Sequence, residues 1–441
     1  MIKNMGKVKN SLPTEATGMA LKKVSCFIVV CIFIISQSAF PDELLNLPST
    51  KNLSLTDSRK LRSGIGDFGR AGSDLIGFGS DKTWQIHPGF EFQTAYDSNI
   101  HREPPGQRND DIILRYIPSI EVVRRGTQLE VMSGYEMTFE EFLREPEESG
   151  FNHIAKSSIK YNRHRLKTTL DEKFSWVKAY ASNEQSERRT IMANDVNPEI
   201  TYRITSKFSL AAIYQNYFFQ YKDSALRENS YDLNDMGGRI YYHVTPKLDF
   251  YVHGSGNVVD YFNSGLFDSH GFSILVGSKG RVTKKLVVDM ATGYKGQRYR
   301  DSTINSFDGW VVQGNVQYRL APKISVGLSG KRSREESVYR NVGFYRSNAV
   351  GLNLSYKVTA RINIVLDGAV ENNAYPRETT ERTLTKKRND TLVTSGVKLK
   401  WRPTRYLTLS VGYGFRERVS NFDNLFEYVD HTLDTAVSCR F

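Results

Sequence analysis

The chain has 441 residues, 60 of them Lys or Arg and 48 Asp or Glu, for a formal net charge of +12. Hydrophobic residues make up 39% and aromatic residues 12%, with 24 Tyr, 24 Phe and 4 Trp. So low an apolar content excludes a bundle of membrane-spanning helices, so many rings exclude a disordered chain, and three cysteines exclude a disulfide framework or a multi-cysteine metal site.

At the start of the chain, Lys22 and Lys23 precede an apolar stretch from Val24 to Ile35, and Ser36-Gln37-Ser38-Ala39 follows. A basic segment, a short apolar segment and small residues predict a secretory signal over residues 1–39, cleaved after Ser38 or Ala39, with Met19 an alternative start. Cys31 is not read as a lipoprotein site, because Val30 stands where a small residue is expected. Residues 40–82 are Gly- and Ser-rich, as in Ser63-Gly64-Ile65-Gly66-Asp67-Phe68-Gly69, without the Lys-Ser/Thr of a phosphate loop. They read as a flexible periplasmic extension or small plug.

From residue 83 to 441 one unit recurs. Leu129, Val131, Ser133, Tyr135, Met137 and Phe139 alternate with Gln128, Glu130, Met132, Gly134, Glu136 and Thr138. Trp310, Val312, Gly314, Val316, Tyr318 and Leu320 alternate in the same way, as do Leu407, Leu409, Val411, Tyr413 and Phe415. Such alternation puts one strand face in an apolar medium and the other in a polar one. Short turns such as Arg124-Arg125-Gly126, Thr245-Pro246-Lys247 and Ala321-Pro322-Lys323 recur at a spacing of about 40 residues, and longer polar connections join the other strand ends. A propeller blade would fit four short strands into that period, whereas each period here holds two long ones. The expected fold is therefore all-β: a transmembrane antiparallel barrel of about 18 strands with short periplasmic turns and longer extracellular loops.

Tyr161, Tyr202, Tyr242, Tyr318, Tyr356 and Trp401 all fall near short turns, as an aromatic girdle at one membrane interface would. Phe441 ends a period-two series that includes Leu433 and Val437, in the manner of a C-terminal barrel-assembly signal. The segment Gly89 to Ile100 ends in Tyr96-Asp97-Ser98-Asn99-Ile100 and is followed by Arg115-Tyr116-Ile117-Pro118-Ser119-Ile120. These residues resemble the opening of the putative beta-barrel porin 2 family of bacterial outer-membrane proteins. The resemblance implies a Gram-negative outer-membrane location and a role in exopolysaccharide synthesis or export, with a periplasmic polysaccharide-export partner. It supplies no catalytic residues.

With the apolar series outside, the alternate residues line the lumen. The candidates are Glu91, Arg115, Glu121, Glu130 and Glu136, then Lys156, Lys160, Lys167 and Lys173, then Arg239, Arg319, Lys357, Lys398 and Arg416. An acidic wall facing basic walls would set a transverse field, and a basic excess favours anionic solutes; cross-strand pairing is the plainer account of any single charge. Tyr217, Phe219, Tyr241, Tyr251 and Phe272 also read as lumen-facing, either to stack on sugar rings or to anchor an inward-folded loop. His243 could oppose Asp249 across a short turn, but the sequence shows no serine nucleophile beside it. Glu140-Glu141 and Glu145, Glu147 and Glu148 admit a two-carboxylate glycosidase reading, against the simpler one of an acidic surface loop.

The expected protein is a porin-like channel, not an enzyme, with no cofactor or metal; its surroundings are outer-membrane lipid, lipopolysaccharide and the barrel-assembly machinery, not nucleic acid. The alternatives are a non-conducting surface barrel with ligand-binding or envelope-stabilising loops, and a barrel enzyme acting on lipid or glycan. In lipid bilayers, spin labels at Val131, Val312 and Leu409 should be relaxed by oxygen, and labels at Glu130 and Gln313 by a water-soluble reagent.

Overall fold

The computed structural model describes residues 77–78, 84–180, 184, 187–262, 267–337, 342–381, 384–422 and 425–441. The expected leader, residues 1–39, lies outside them, as does the extension at 40–82 apart from Gly77–Phe78, which pairs with Trp84 and Gln85. From Trp84 the chain forms β1 (Trp84–Asp97), β2 (Asp111–Arg125), β3 (Leu129–Phe142), β4 (Gly150–Arg163), β5 (Leu166–Ala179) and β6 (Arg189–Arg203). It continues through β7 (Phe208–Tyr221), β8 (Tyr231–Thr245), β9 (Leu248–Tyr261), β10 (Ser269–Arg281), β11 (Leu286–Tyr299) and β12 (Phe307–Ala321). The last third is β13 (Ile324–Glu336), β14 (Phe344–Lys357), β15 (Ile362–Glu381), β16 (Leu384–Trp401), β17 (Leu407–Ser420) and β18 (Tyr428–Arg440).

Each strand pairs antiparallel with the next, and β18 returns to β1 with Thr432 opposite Asp97 and Arg440 opposite Gly89. The result is a closed barrel of eighteen strands. Strand lengths run from 13 to 20 residues, which exceeds the roughly 9–11 needed to span a bilayer at the usual tilt. β15 and β16 are the longest. Glu378 to Glu381 and Leu384 to Lys387 extend their hairpin beyond a register shift between Ala374 and Glu378, where a longer polar connection would be expected.

Directly opposed residues in an antiparallel pair share a face, so the register sorts every strand into two sets. One set carries Phe90, Ile120, Tyr135, Leu210, Ile240, Val252, Ile274, Val312, Leu328, Leu352 and Val397, all exposed. Trp310 is 63% exposed, whereas Gln313, of the other set, is 8% exposed. The apolar set is the outer wall and the polar set the lumen, as the alternation required. Polar exceptions outside include Ser133, Ser157, Glu172, Asn194, Asn216 and Asn234 on β3 to β8, and Arg332, Asn348 and Asn372 on β13 to β15. Several bond to one another: Asn216 Nδ2 donates to Asp232 Oδ1 at 2.7 Å, and Tyr214 Oη donates to Asn234 Oδ1 at 2.5 Å.

The seam between the first and last strands is stitched at both ends. At the short-turn end the Phe441 amide donates to the Pro88 carbonyl at 3.0 Å, and His87 Nδ1 lies 3.2 Å from the Phe441 carbonyl. At the other end the Tyr-Asp-Ser-Asn-Ile segment closes the join. The His431 amide donates to Ser98 Oγ at 2.7 Å, and the Ser98 amide donates to the His431 carbonyl at 3.0 Å. Asn99, fully buried, donates from Nδ2 to the carbonyls of Val429 and Glu103 and accepts the Glu103 amide on Oδ1. Ile100 then packs against Ile113 and Phe142. That segment therefore latches the barrel shut. Asn99→Ala strands the buried backbone groups it serves and is expected to cost about 1–3 kcal/mol, read as a lower denaturant midpoint for the folded barrel in detergent.

Candidate functional site

The register places the charged lumen candidates on the face opposite the exposed apolar set. Glu91, Arg115 and Glu121 sit on β1 and β2, in the same face as Gln93, which is opposite Arg115. Glu130 and Lys160 oppose each other directly, and Lys156 opposes Lys173, with Lys167 further down β5. Glu136 lies opposite Ser119, one pair removed from the same inner row. Arg239 opposes His253, Arg319 opposes Ser325, Lys357 opposes Asn363, Lys398 opposes Val365, and Arg416 opposes Asp430. β3 and β4 are neighbours, so the acidic strip and the lysine strip adjoin in one wall, with Glu130 opposite Lys160. Strand adjacency, which a linear reading can underweight, decides this.

The extracellular mouth holds groups the sequence reading missed. Glu140, buried on β3, accepts from Arg115 Nε at 2.7 Å and from Asn152 Nδ2 at 3.0 Å, and also pairs with Arg188. Arg188 lies just before β6, 4.7 Å over the Phe142 ring, and donates to the Lys178 carbonyl at 2.8 Å. Two guanidiniums thus neutralise one buried carboxylate and fix the root of the β5–β6 connection. Tyr180, at the other root, donates to the Ile100 carbonyl beneath the Arg102 guanidinium, which sits 3.4 Å above its ring. Burial raises the Tyr180 hydroxyl well above the ordinary tyrosine range, so it remains a neutral donor. From these roots Glu184 reaches Ser337, after β13, whose Oγ donates to Glu184 Oε1 at 2.7 Å in a buried contact. Seven strands, β6 to β12, stand between β5 and β13 in a ring of eighteen, so the contact places Glu184 across the mouth from β5.

Aromatic residues fill much of the wall beneath it. Phe219, Tyr221, Tyr231, Tyr261, Phe267, Tyr299, Phe307 and Phe344 form one buried cluster, with Tyr217 packed against it. That favours the loop-anchoring reading of Tyr217 and Phe219. Tyr241 and Tyr251 form a separate group around Arg239, whose guanidinium lies 4.9 Å over the Tyr251 ring and donates to Tyr241 Oη at 2.8 Å. Phe272 is a correction: it opposes Gly256 and Gly296, in the outer set, and is 45% exposed. A period-two count started one residue off inverts a strand's faces.

At the short-turn end His243 Nδ1 lies 2.7 Å from Asp249 Oδ1, as anticipated. The expectation that no serine stands beside it is overturned: Ser209 Oγ lies 2.7 Å from His243 Nε2. Ser209 is 34 positions upstream and only the β7–β8 register brings it there. The glycosidase reading finds no support, since Glu140 points inward and is doubly paired while Glu141, opposite Leu114, points outward. Tyr161, Tyr202, Tyr242, Tyr318, Tyr356 and Trp401 all fall in the outer set near the short turns. Leu433 and Val437 face outward opposite Tyr96 and Phe92, beside the seam. Glu140→Ala leaves Arg115 and Arg188 buried without their carboxylate. A loss of about 3–5 kcal/mol in folding stability is expected, with proteolytic cleavage appearing between Tyr180 and Arg188.

The model of the family described as putative beta-barrel porin 2 matches residues 223–441. The Tyr-Asp-Ser-Asn-Ile segment that suggested this family lies outside the matched stretch. No curated protein matches the chain. Among solved structures, the outer membrane protein OpdK from Pseudomonas aeruginosa is 10% identical, with 81% of this chain and 99% of that chain covered at a TM-score of 0.45. OccAB3 from Acinetobacter baumannii is 8% identical, with 81% and 99% covered at 0.45. OccK2 (OpdF) from Pseudomonas aeruginosa, in complex with glucuronate, is 7% identical, with 83% and 100% covered at 0.46. The chain is a porin-like outer-membrane β-barrel whose residues 223–441 match the model of the putative beta-barrel porin 2 family.

Proposed function

We propose that this barrel conducts small hydrophilic solutes through a charged, water-filled lumen and prefers anions. Eighteen strands fall in the size range that leaves an aqueous passage when loops do not fill it. The observation that carries the reading is the inner face itself, which presents Lys156, Lys160, Lys167, Lys173, Arg319, Lys357 and Lys398 to the lumen of a closed barrel. Passage requires no covalent chemistry; selection follows from diameter and from the field of these charges. Glu184, bonded to Ser337 across the mouth, is the narrowing element. An N-terminal secretory signal, the Phe441 assembly series and the Tyr and Trp girdle complete the picture of an exported Gram-negative barrel. Its partners are then lipopolysaccharide and the assembly machinery. The family resemblance extends the proposal to exopolysaccharide export with a periplasmic partner.

Two observations favour a second reading. The large buried aromatic cluster and the Glu184–Ser337 contact are what a non-conducting barrel with ligand-binding loops would also contain. Planar-bilayer recording separates the two. The channel reading expects discrete conductance steps with anion preference, several-fold larger after deletion of residues 181–187 and shifted toward cations in a Lys156→Glu, Lys167→Glu double variant. Absence of steps in both the intact and the loop-deleted protein would leave the second reading.

A further inference from the structure

We propose that Ser209, His243 and Asp249 form a hydrolytic triad that cleaves small carboxylic esters at the periplasmic entrance to the lumen. The three residues come from β7, β8 and β9 and lie within a few positions of short turns, on the inner face. The contacts use the atoms that acyl transfer requires. The Asp249 carboxylate stands 2.7 Å from His243 Nδ1, so the neutral ring carries its proton there and leaves Nε2 to accept from the Ser209 hydroxyl, 2.7 Å away. A tie between strands has little reason to take this form. The His243 and Asp249 side chains are 23% and 33% exposed, and half-solvated charge pairs contribute little stability. Ser209 is 2% exposed, while its base and the orienting carboxylate open toward the lumen, so approach comes from that side.

The surroundings set the substrate class. Ser209 lies between Arg203 and Tyr241, its direct ladder partners on either side, so the acyl group must be small, of acetyl size. Strand amides are committed to the ladder. Charge developing on the carbonyl oxygen therefore falls to a side-chain cation, and Arg203 is the one directly across from Ser209. The step balances without a co-reactant other than water. Ser209 Oγ bonds to the acyl carbon as its proton passes to His243 Nε2. The tetrahedral intermediate collapses, and the alcohol leaves with that proton. Water, deprotonated by the same imidazole, then releases the acid and restores the serine hydroxyl.

This inference is independent of whether the barrel conducts. The test uses the full-length protein, purified in detergent and shown folded by heat-modifiable mobility, incubated with a fluorophosphonate probe. Peptide mass spectrometry should find the adduct on Ser209, absent from Ser209→Ala. The rate of adduct formation should fall by about 10⁴-fold in the near-isosteric Asp249→Asn, which keeps the shape but offers the wrong tautomer, and hydrolysis of 4-nitrophenyl acetate should fall with it. An unmodified Ser209 in folded protein, under conditions that fully label a control serine esterase, overturns the proposal. So does an adduct that forms at the same rate in folded Asp249→Asn. Should the variants fail to fold, the wild-type adduct at Ser209 or its absence decides.

Discussion

A sheet in hydrocarbon cannot have an edge. Each unpaired amide or carbonyl would face a medium with nothing to bond it, at several kcal/mol apiece, so the chain must bring its first strand back to its last. Everything else in this protein is arranged around that closure. The seam between β1 and β18 is held at one end by the C-terminal residue itself and at the other by the side chains of Ser98 and Asn99. These side chains bond to the backbone of the partner strand where the ladder stops, so the join is longer than the paired residues alone would make it.

Closure gives the two faces different solvents, and the interior follows from that. On the inner wall some charges stand opposite the other sign on a neighbouring strand, as Glu130 does opposite Lys160. At the mouth the pairing is buried: Glu140 holds both Arg115 and Arg188, and Arg102 covers Tyr180. These contacts fix the roots of the connection whose middle reaches Ser337. The barrel supplies a frame, and the buried ion pairs hold the roots of that connection to it.

The opposite end of the lumen shows how a frame can assemble chemistry it did not need for its own stability. Ser209, His243 and Asp249 lie on three consecutive strands, with a short turn between the last two. Antiparallel neighbours that share a face bring such residues within hydrogen-bond reach wherever the register allows. A short turn limits how far two strands can slide, which keeps the imidazole in place.

The alternation of apolar and polar residues determined the barrel, its strand number and the solvent on each face, because a period of two is a local property that survives any tertiary arrangement. It also put Lys156, Arg319 and Lys398 on the face away from the exposed apolar series, where the register has them, and failed for Phe272, where the count began one residue off. The pairing of His243 with Asp249 was visible because a short turn joins their strands. Ser209 beside that imidazole, Arg188 on Glu140 and Glu184 at Ser337 were not, since these contacts depend on interstrand register and on the path of a long connection. Such contacts are set by closing the whole cylinder, a long-range constraint that leaves no periodic trace in the chain.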